Sequence, residues 1–588
     1  MAGVLHLPVQ RGLALRVAEA TWLLLLVAVP AAFNPFGELA FEPLKTSLVR
    51  VGGVVIAVAW LARRSSQRAA VATDVSAHPI VRSGLLLLAA VTLSTAFSIE
   101  PALSFFGSFD RGLGWLNLAA GGAFLICGAD LFADESRRER AISMLVAGAV
   151  VPCAYFLLQR IDLDPVTWTT LGAPGSSLGS PTFLGGYLVL VAPFAAYRVI
   201  TAASRHAPAA YGAWLAVLLV VCAVTLLATI RGPILGLGAA LLTFAVVARP
   251  RRQIGHLEVA AALGLMVVAL ALAIAVTGTG GTIGLQRFLT IARPSDSSVE
   301  RLTVWRDAVG LPLADLPRAV VGFGPETQRA VLERGEATVR LTQNQEWDRA
   351  HNLLLDTWLA GGLLGVTALI GVLVVTAHSM LRATQQRTGG LLAAAILAAL
   401  VGHVVEAMFA FETVASTMVL WLVLGLAASL APRFVERGTV RRWPVSAGLC
   451  AGVLLVPLLA TPAIADALYG AARGKTYAVA AQTEEVAAAW TPWVEELPRM
   501  AGLDWQQVAV RNNDAAAGAR VEPDLLEAAR RAPATPLPWL RLSRLRLTRG
   551  DTQGAEVYCQ RALANGPFRA SVWDACADVA AALGSPDA

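Results

Sequence analysis

Apolar residues run in blocks of about twenty along most of this chain, separated by short polar connections. The blocks fall at about 17–33, 46–62, 83–97, 113–129, 141–159, 182–201, 211–230, 232–248, 257–277, 352–377, 389–409, 413–431 and 445–466. A helix needs about 20 apolar residues to cross the hydrocarbon core of a bilayer, so each block predicts a span. The first follows Arg11 and Arg16 and leads into no soluble start, which favours a retained span over a cleaved leader. One long hydrophilic stretch interrupts the series, residues 278–350. It ends at Asp348-Arg349-Ala350-His351-Asn352 and drops into an apolar helix that begins Leu353-Leu354-Leu355-Asp356. From about residue 467 the pattern turns soluble, alanine-rich, with Asp, Glu and Arg on helical faces. The expected fold is all-α: a polytopic membrane region over 1–440 with about 12–13 spans, a further span at 441–466, and a helical-repeat region over 467–588.

Charge then orients the spans. Hydrophobic residues make up 56% of the chain and charged residues 15%, with a mean hydropathy of +0.61. That is well below the charge content of soluble domains, roughly a quarter. With the N-terminus inside, Lys and Arg collect in every inner connection: Arg63, Arg64 and Arg68; Arg137, Arg138 and Arg140; Arg198 and Arg205; Arg249, Arg251 and Arg252; Arg382 and Arg387; Arg433, Arg437, Arg441 and Arg442. The outer connections carry few, among them Lys45, Arg50, Arg111, Arg160 and Arg231. By the positive-inside rule the 278–350 loop lies outside, and the last span puts the tail outside as well. The net charge of +6 is therefore mostly a topology signal, and no single basic patch suggests nucleic acid.

The tail has a period. Trp539 and Trp573, Gly550 and Gly584, and Leu542 and Cys576 are each 34 residues apart, with Ala555, Ala562 and Pro567 between. A 34-residue period with small residues at a helix crossing resembles the tetratricopeptide repeat. One repeat and part of another need a neighbour to bury their faces, so helices around 470–530 are expected to complete the stack. Such a tail is either a docking surface for a protein partner or a folded cap on the last span. Cys559 and Cys576 lie in it, and the spacing leaves open whether they pair.

The chemistry-bearing residues cluster at the loop and span ends. His351 stands at a loop-to-helix junction, and an imidazole neutral near pH 7 suits a general base, although a lone histidine there can also simply cap or pack. Asp348, Arg349 and Asn352 flank it, and Arg301 and Arg306 lie upstream in the same loop. Guanidinium forks grip phosphate and keep their charge, so these arginines suit a diphosphate, with ordinary salt bridges as the plain alternative. Arg231 sits at the junction of two spans, where a charge at membrane depth reads as functional unless it snorkels to the interface. His403 and Glu406 share a helix face as a proton path or a packing lock. No CxxC, HExxH or phosphate-cradling glycine-lysine loop occurs, so metal, ATP and other cofactors are not expected.

Together these segments resemble the O-antigen ligase and polymerase (Wzy/WaaL-type) superfamily of bacterial glycan-assembly membrane enzymes. The resemblance runs over roughly 20–430. It rests on Ser98-Ile99-Glu100-Pro101 with Arg111-Gly112, on Gly179-Ser180-Pro181-Thr182-Phe183 with serine where asparagine is usual, and on Ile230-Arg231-Gly232 with isoleucine where serine is usual. It continues through Arg301 with Trp305, Gly322-Phe323-Gly324-Pro325, Ala350-His351-Asn352 and Gly361-Gly362-Leu363-Leu364-Gly365. It implies a GT-C-like membrane glycosyltransferase that moves a glycan from a polyprenyl diphosphate to an acceptor hydroxyl at the outer face of the bacterial cytoplasmic membrane, without metal or ATP. It implies His351 as the base and Arg231 and Arg301 as diphosphate ligands; the residues themselves add Arg306 as a further candidate ligand and Arg111, Asp348, Arg349, Asn352, His403 and Glu406 as candidates for support. The acceptor would be a glycan, lipid or protein. A transporter or a non-catalytic scaffold for glycan assembly would also have many spans and buried charges. A transporter would place its polar residues at mid-membrane, however, whereas the sharp residues here sit at span ends.

Overall fold

A computed structural model describes residues 7–65, 78–168, 175–248, 296–341, 347–386, 389–430 and 445–584. The expected span at 257–277 lies outside the described residues. Within them the chain is all-α, with 24 α-helices and one short 3-10 turn at Ser176–Leu178. Ten helices are long and apolar enough to cross a membrane, and two shorter apolar ones, Trp115–Leu131 and Val414–Leu430, fall where spans were expected. The protein is a multi-pass membrane protein with a helical C-terminal region.

The N-terminal half comprises α1 (Leu7–Ala31), α2 (Glu42–Ser65), α3 (Pro79–Ala96), the short α4 (Pro101–Phe106), α5 (Trp115–Leu131), α6 (Glu135–Gly148), α7 (Val150–Arg160), α8 (Pro181–Ser204), α9 (Pro208–Leu227) and α10 (Arg231–Ala248). α6 and α7 form one apolar span interrupted at Ala149. Helix starts follow local chemistry. Asp134 and Ser180 each accept a backbone N–H of the first turn, and Pro181 at the first helical position has no N–H to satisfy.

The polar loop carries α11 (Asp296–Leu313), α12 (Leu316–Val321), α13 (Gln328–Leu332) and α14 (Glu336–Leu341). Then come α15 (Leu353–Ala383), α16 (Gly390–Ala407), α17 (Val414–Leu430) and α18 (Val445–Ala472), which contains the last expected span and runs on past it. α10 and α16 pack so closely that a Cβ on Gly236 would lie 2.8 Å from the Gly402 carbonyl oxygen. Small residues at the crossing let two membrane helices bring their backbones together.

α15 is broken inside. Gly362 has φ 57° and ψ −156°, far from helical values. The carbonyls released upstream are taken by the loop: the Phe323 N–H donates to Leu359 (2.8 Å), the Gly324 N–H to Ala360 (2.9 Å), and the Ser94 hydroxyl also donates to Ala360 (2.5 Å). The Gly-Phe-Gly segment is thus stitched to the kink, and Phe323 in turn accepts the Ile99 N–H at 3.0 Å.

The tail continues with α19 (Tyr477–Trp490), α20 (Glu496–Asn512), α21 (Ala515–Arg531), α22 (Pro536–Thr548), α23 (Thr552–Asn565) and α24 (Ala570–Ala582), each packed on the next. The 34-residue period has a physical counterpart. Trp539 and Trp573 each donate the indole N–H to a carbonyl six residues back, Pro533 (3.0 Å) and Pro567 (2.6 Å). Gly550 and Gly584 both take positive φ, 78° and 72°, as glycines ending helices do. Cys559 and Cys576 are disulfide-bonded.

The tail does not stand apart. Trp493 stacks on Phe106 with ring centroids 3.9 Å apart. Arg569 pairs with Glu333 (2.9 Å), Arg334 donates to Asn565 (3.3 Å), and buried Glu100 accepts the Ala534 N–H (3.2 Å). The 278–350 loop and the tail therefore share one face of the molecule.

Candidate functional site

The turn at 350–352 is the centre of the site. His351 is a non-glycine residue with φ 54°, in the left-handed region. Its neighbours hold it there. The Asp356 carboxylate accepts the N–H of Ala350 (2.7 Å) and of Asn352 (3.2 Å), and the Trp305 indole donates to the Ala350 carbonyl (2.8 Å). Asn352 caps α15, its side-chain oxygen accepting the N–H groups of Leu354 (3.1 Å) and Leu355 (3.2 Å). The structure places Asn352, a candidate for support in the sequence, as the N-cap of α15. Strain of this kind persists where surrounding contacts over-determine it, commonly at functional sites.

Around the imidazole stand Trp347 (5.3 Å between centroids) and Phe411 (4.9 Å), both edge-on. Burial lowers the His351 pKa to about 4. Asp348 opposes that shift, and Arg301, Arg111 and Arg349 reinforce it. With this pKa the ring is neutral at pH 7, the state a base requires.

Two arginines meet beside it. Arg301 donates to the Phe409 carbonyl at 3.1 Å and, among the described residues, is paired with no carboxylate. Burial, then the charge of Arg231, lowers its pKa, so Arg231 at the start of α10 is close enough to repel it. Two half-buried like charges near each other favour an anion between them. Arg306 is exposed on α11, and no contact brings it to His351, so the structure gathers Arg231 and Arg301 but not Arg306.

Arg111 reaches the site from the α4–α5 connection. It donates to Asp348 twice (3.0 and 2.6 Å), and its guanidinium lies 4.7 Å from the Phe411 ring and 5.5 Å from the Phe183 ring. Burial works against its charge, but Asp110 and Asp348 hold its pKa above the ordinary value. Burial also disfavours the Asp348 charge, yet Arg111 keeps its pKa below the usual carboxylate range. Arg349, by contrast, is turned away into a buried pair with Glu326. Glu326 also accepts the Ser108 N–H (3.2 Å) and hydroxyl. One carboxylate thereby joins the first loop, the second loop and the residue two before His351.

Several contributors carry little sequence signal. The connection between α16 and α17 is the floor of the site: Met408 accepts from Asn352 (3.3 Å), Phe409 from Arg301, and Phe411 touches His351. The next residue, Glu412, hydrogen-bonds His403 at 2.7 Å, while Glu406 lies 3.9 Å from the other ring nitrogen. His403 and Glu406 are therefore part of a triad with Glu412 and reach the site only through the 408–412 segment. Arg50, inside α2, donates to Asn117 (2.9 Å) and to the carbonyls of Gly112 (3.1 Å) and Phe106, which fixes the loop that bears Arg111. Read from sequence, Arg50 is only a topology marker, because its partners are backbone carbonyls distant in the chain.

Among the described residues, no group of three His, Cys, Asp or Glu side chains is placed to hold a metal ion. The arrangement offers a neutral base, two converging guanidinium groups and an aromatic wall. No curated protein matches the chain. Residues 214–370, the stretch that holds Arg231, Arg301 and His351, match the Wzy_C family model, described as O-antigen ligase.

Proposed function

We propose that the protein transfers a glycan from a polyprenyl diphosphate to an acceptor hydroxyl at the membrane face where the 278–350 loop and the tail lie, as an O-antigen ligase or polysaccharide polymerase does. The observation that carries this reading is the neutral His351 imidazole at a fixed left-handed turn beside the Arg231–Arg301 pair. The acceptor oxygen attacks the anomeric carbon, and the bond from that carbon to the phosphate oxygen breaks. His351 takes the acceptor proton and later releases it to water. The diphosphate leaves with one more negative charge, which the two guanidinium groups receive. Fixed cationic donors in a site shielded from water stabilise such charge most where it develops, in the transition state. Arg111 and Asp348 position the ring from the other side through Phe411.

The membrane is read as the bacterial cytoplasmic membrane, with loop and tail outside, as the charge bias of the connections argues. The tail, tetratricopeptide-like in its period, serves as the surface for a protein partner. The acceptor is a glycan, lipid or protein hydroxyl.

The test uses purified protein in lipid nanodiscs with a polyprenyl-diphosphate glycan and an isolated acceptor. His351→Asn should cut transfer by about 10²–10⁴-fold, the usual value of a positioned base, and leave donor binding intact. Asn tolerates the left-handed turn, so the fold is spared. Arg301→Lys should weaken donor binding, because a point charge does not replace the fork. Transfer should proceed in EDTA without ATP, and more slowly from a lipid monophosphate. Near wild-type turnover in His351→Asn, or strict dependence on a divalent cation, would overturn the assignment.

A further inference from the structure

A cavity of about 340 Å³ opens beside Arg111, and neither Arg231 nor Arg301 lines it. Its walls combine aromatic faces with carboxylates: Phe41, Trp168 and Phe183 with Glu38, Glu42 and Asp110. Trp168 and Phe41 stack at 5.2 Å, and Trp168 is fixed by its indole N–H to Asp164 (2.9 Å). Most of the charges here are spoken for. Glu38 pairs with Arg473, and Arg111 with Asp348. Glu42 differs. It is only 5% exposed, one oxygen accepts the Val414 N–H at 3.4 Å, and the other, Oε1, has no hydrogen-bond partner. Lys45, one turn on, spends its donors on the carbonyls of Phe41 (3.0 Å) and Ser177 (2.8 Å). A buried acceptor left without a donor is costly, and such groups generally have a partner to meet.

The lining selects that partner. Three carboxylates line the cavity with two arginines that are already paired, Arg111 with Asp348 and Arg473 with Glu38, which leaves little free positive charge to hold a diphosphate. Flat aromatic faces beside hydrogen-bond acceptors suit a molecule that is apolar on one face and rich in hydroxyl donors at its edge, which is a pyranose ring. The cavity adjoins the His351 site through Phe183, Phe411 and Arg111. A sugar held here lies next to the His351 site, in a cavity that neither Arg231 nor Arg301 lines, so it does not compete with a diphosphate held by those two arginines. We infer that the Glu42–Phe41–Trp168 cavity is the subsite for the acceptor's terminal sugar, with Trp168 stacking on the ring and the wall carboxylates accepting from its hydroxyls. The role as acceptor subsite rests on the proposed transferase reading; sugar binding itself does not.

The experiment titrates full-length protein in nanodiscs with methyl glucoside, methyl galactoside and methyl N-acetylglucosaminide, read by saturation-transfer NMR. At least one glycoside should show ring-proton transfer, undiminished by inorganic diphosphate. Trp168→Ala should abolish the signal and Trp168→Phe should restore much of it. Glu42→Gln should weaken binding by about tenfold or more, the scale of a hydrogen bond to a charged group. Thermal melting of each variant, together with donor binding, reports folding. The proposal is overturned if no glycoside binds, if binding survives Trp168→Ala and Glu42→Gln, or if inorganic diphosphate displaces the glycoside. If glycosides bind through Trp168 but wild-type protein transfers nothing, the reaction fails and the sugar site stands. If transfer depends on His351 while Trp168→Ala binds sugars normally, the reverse holds.

Discussion

His351 is neutral chiefly because it is buried, and three nearby arginines add to the effect. A diphosphate bound at Arg231 and Arg301 would bring in negative charge that favours the imidazolium and raises the pKa again. The base would therefore be too weak before the donor arrives and better matched to proton transfer afterwards. The pH profile checks this. In kcat/KM for the acceptor, measured without saturating donor, the acid limb should fall near pH 4. With donor saturating, it should move toward neutrality. The sign follows from the direction of the shift: a histidine whose pKa is lowered in the folded protein is unprotonated above that value, so activity and stability are lost as pH falls, not as it rises. An acid limb at 6.5 in both conditions would mean the burial does not act on the ring. The identity of this residue was legible from sequence, since a histidine at the end of a polar loop is conspicuous. The devices that hold it were not: Asp356 reads as one polar residue in an apolar run, and Phe411 as one more membrane aromatic.

At the scale of elements, α15 is where loop and membrane meet. The kink at Gly362 frees carbonyls that the Gly322–Phe323–Gly324 segment takes up, and a Cβ on Gly362 would come within 2.6 Å of the Gly322 nitrogen. Its φ and ψ lie in a region open almost only to glycine. Gly362→Ala should therefore destabilise the protein by about 1–3 kcal/mol for the backbone alone, with added cost from the clash, read as a lower melting temperature and faster proteolysis of the loop. Gly371→Ala is the control: it sits in the same helix with nothing within 4 Å of its Cβ position. Equal melting temperatures for the two variants would refute the stitched kink. From sequence, the glycine pair at 361–362 marks a family-like segment but not a break, because glycines are common in membrane helices. Helix existence was the most legible level of all. Every described span lies within or close to an apolar block, and the departures are helices that run past their block, as α18 does, or a break such as Ala149, where the hydropathy pattern is continuous.

For the whole molecule, the informative fact is that loop and tail share a face. The sequence could propose this only by counting spans and charges, and an odd or even count decides it. The structure reaches the same arrangement through Phe106–Trp493, Glu333–Arg569 and Glu100–Ala534, contacts separated by hundreds of residues that no local pattern announces. Which compartment that face meets is testable through the tail's own chemistry. Disulfides persist in oxidising compartments and are rare in the cytosol. In intact cells, Cys559 and Cys576 should resist alkylation until a reductant is added, and mass spectrometry should find them joined. Ready alkylation of both without reductant would place the tail, and with it the 278–350 loop, on the cytosolic side and would sink the proposed location of the reaction.

The seam between loop and tail also imposes a chronology. Chains are made and begin to fold from the N-terminus, so Ala534, Asn565 and Arg569 emerge after every residue they touch. Until then Glu100 has no Ala534 amide to accept, Glu333 has no arginine from the tail, and Phe106 has no indole above it. The loop that holds His351 is thus completed by the last fifth of the polypeptide. A polypeptide cut after α18 would keep the described membrane helices and lack all three contacts.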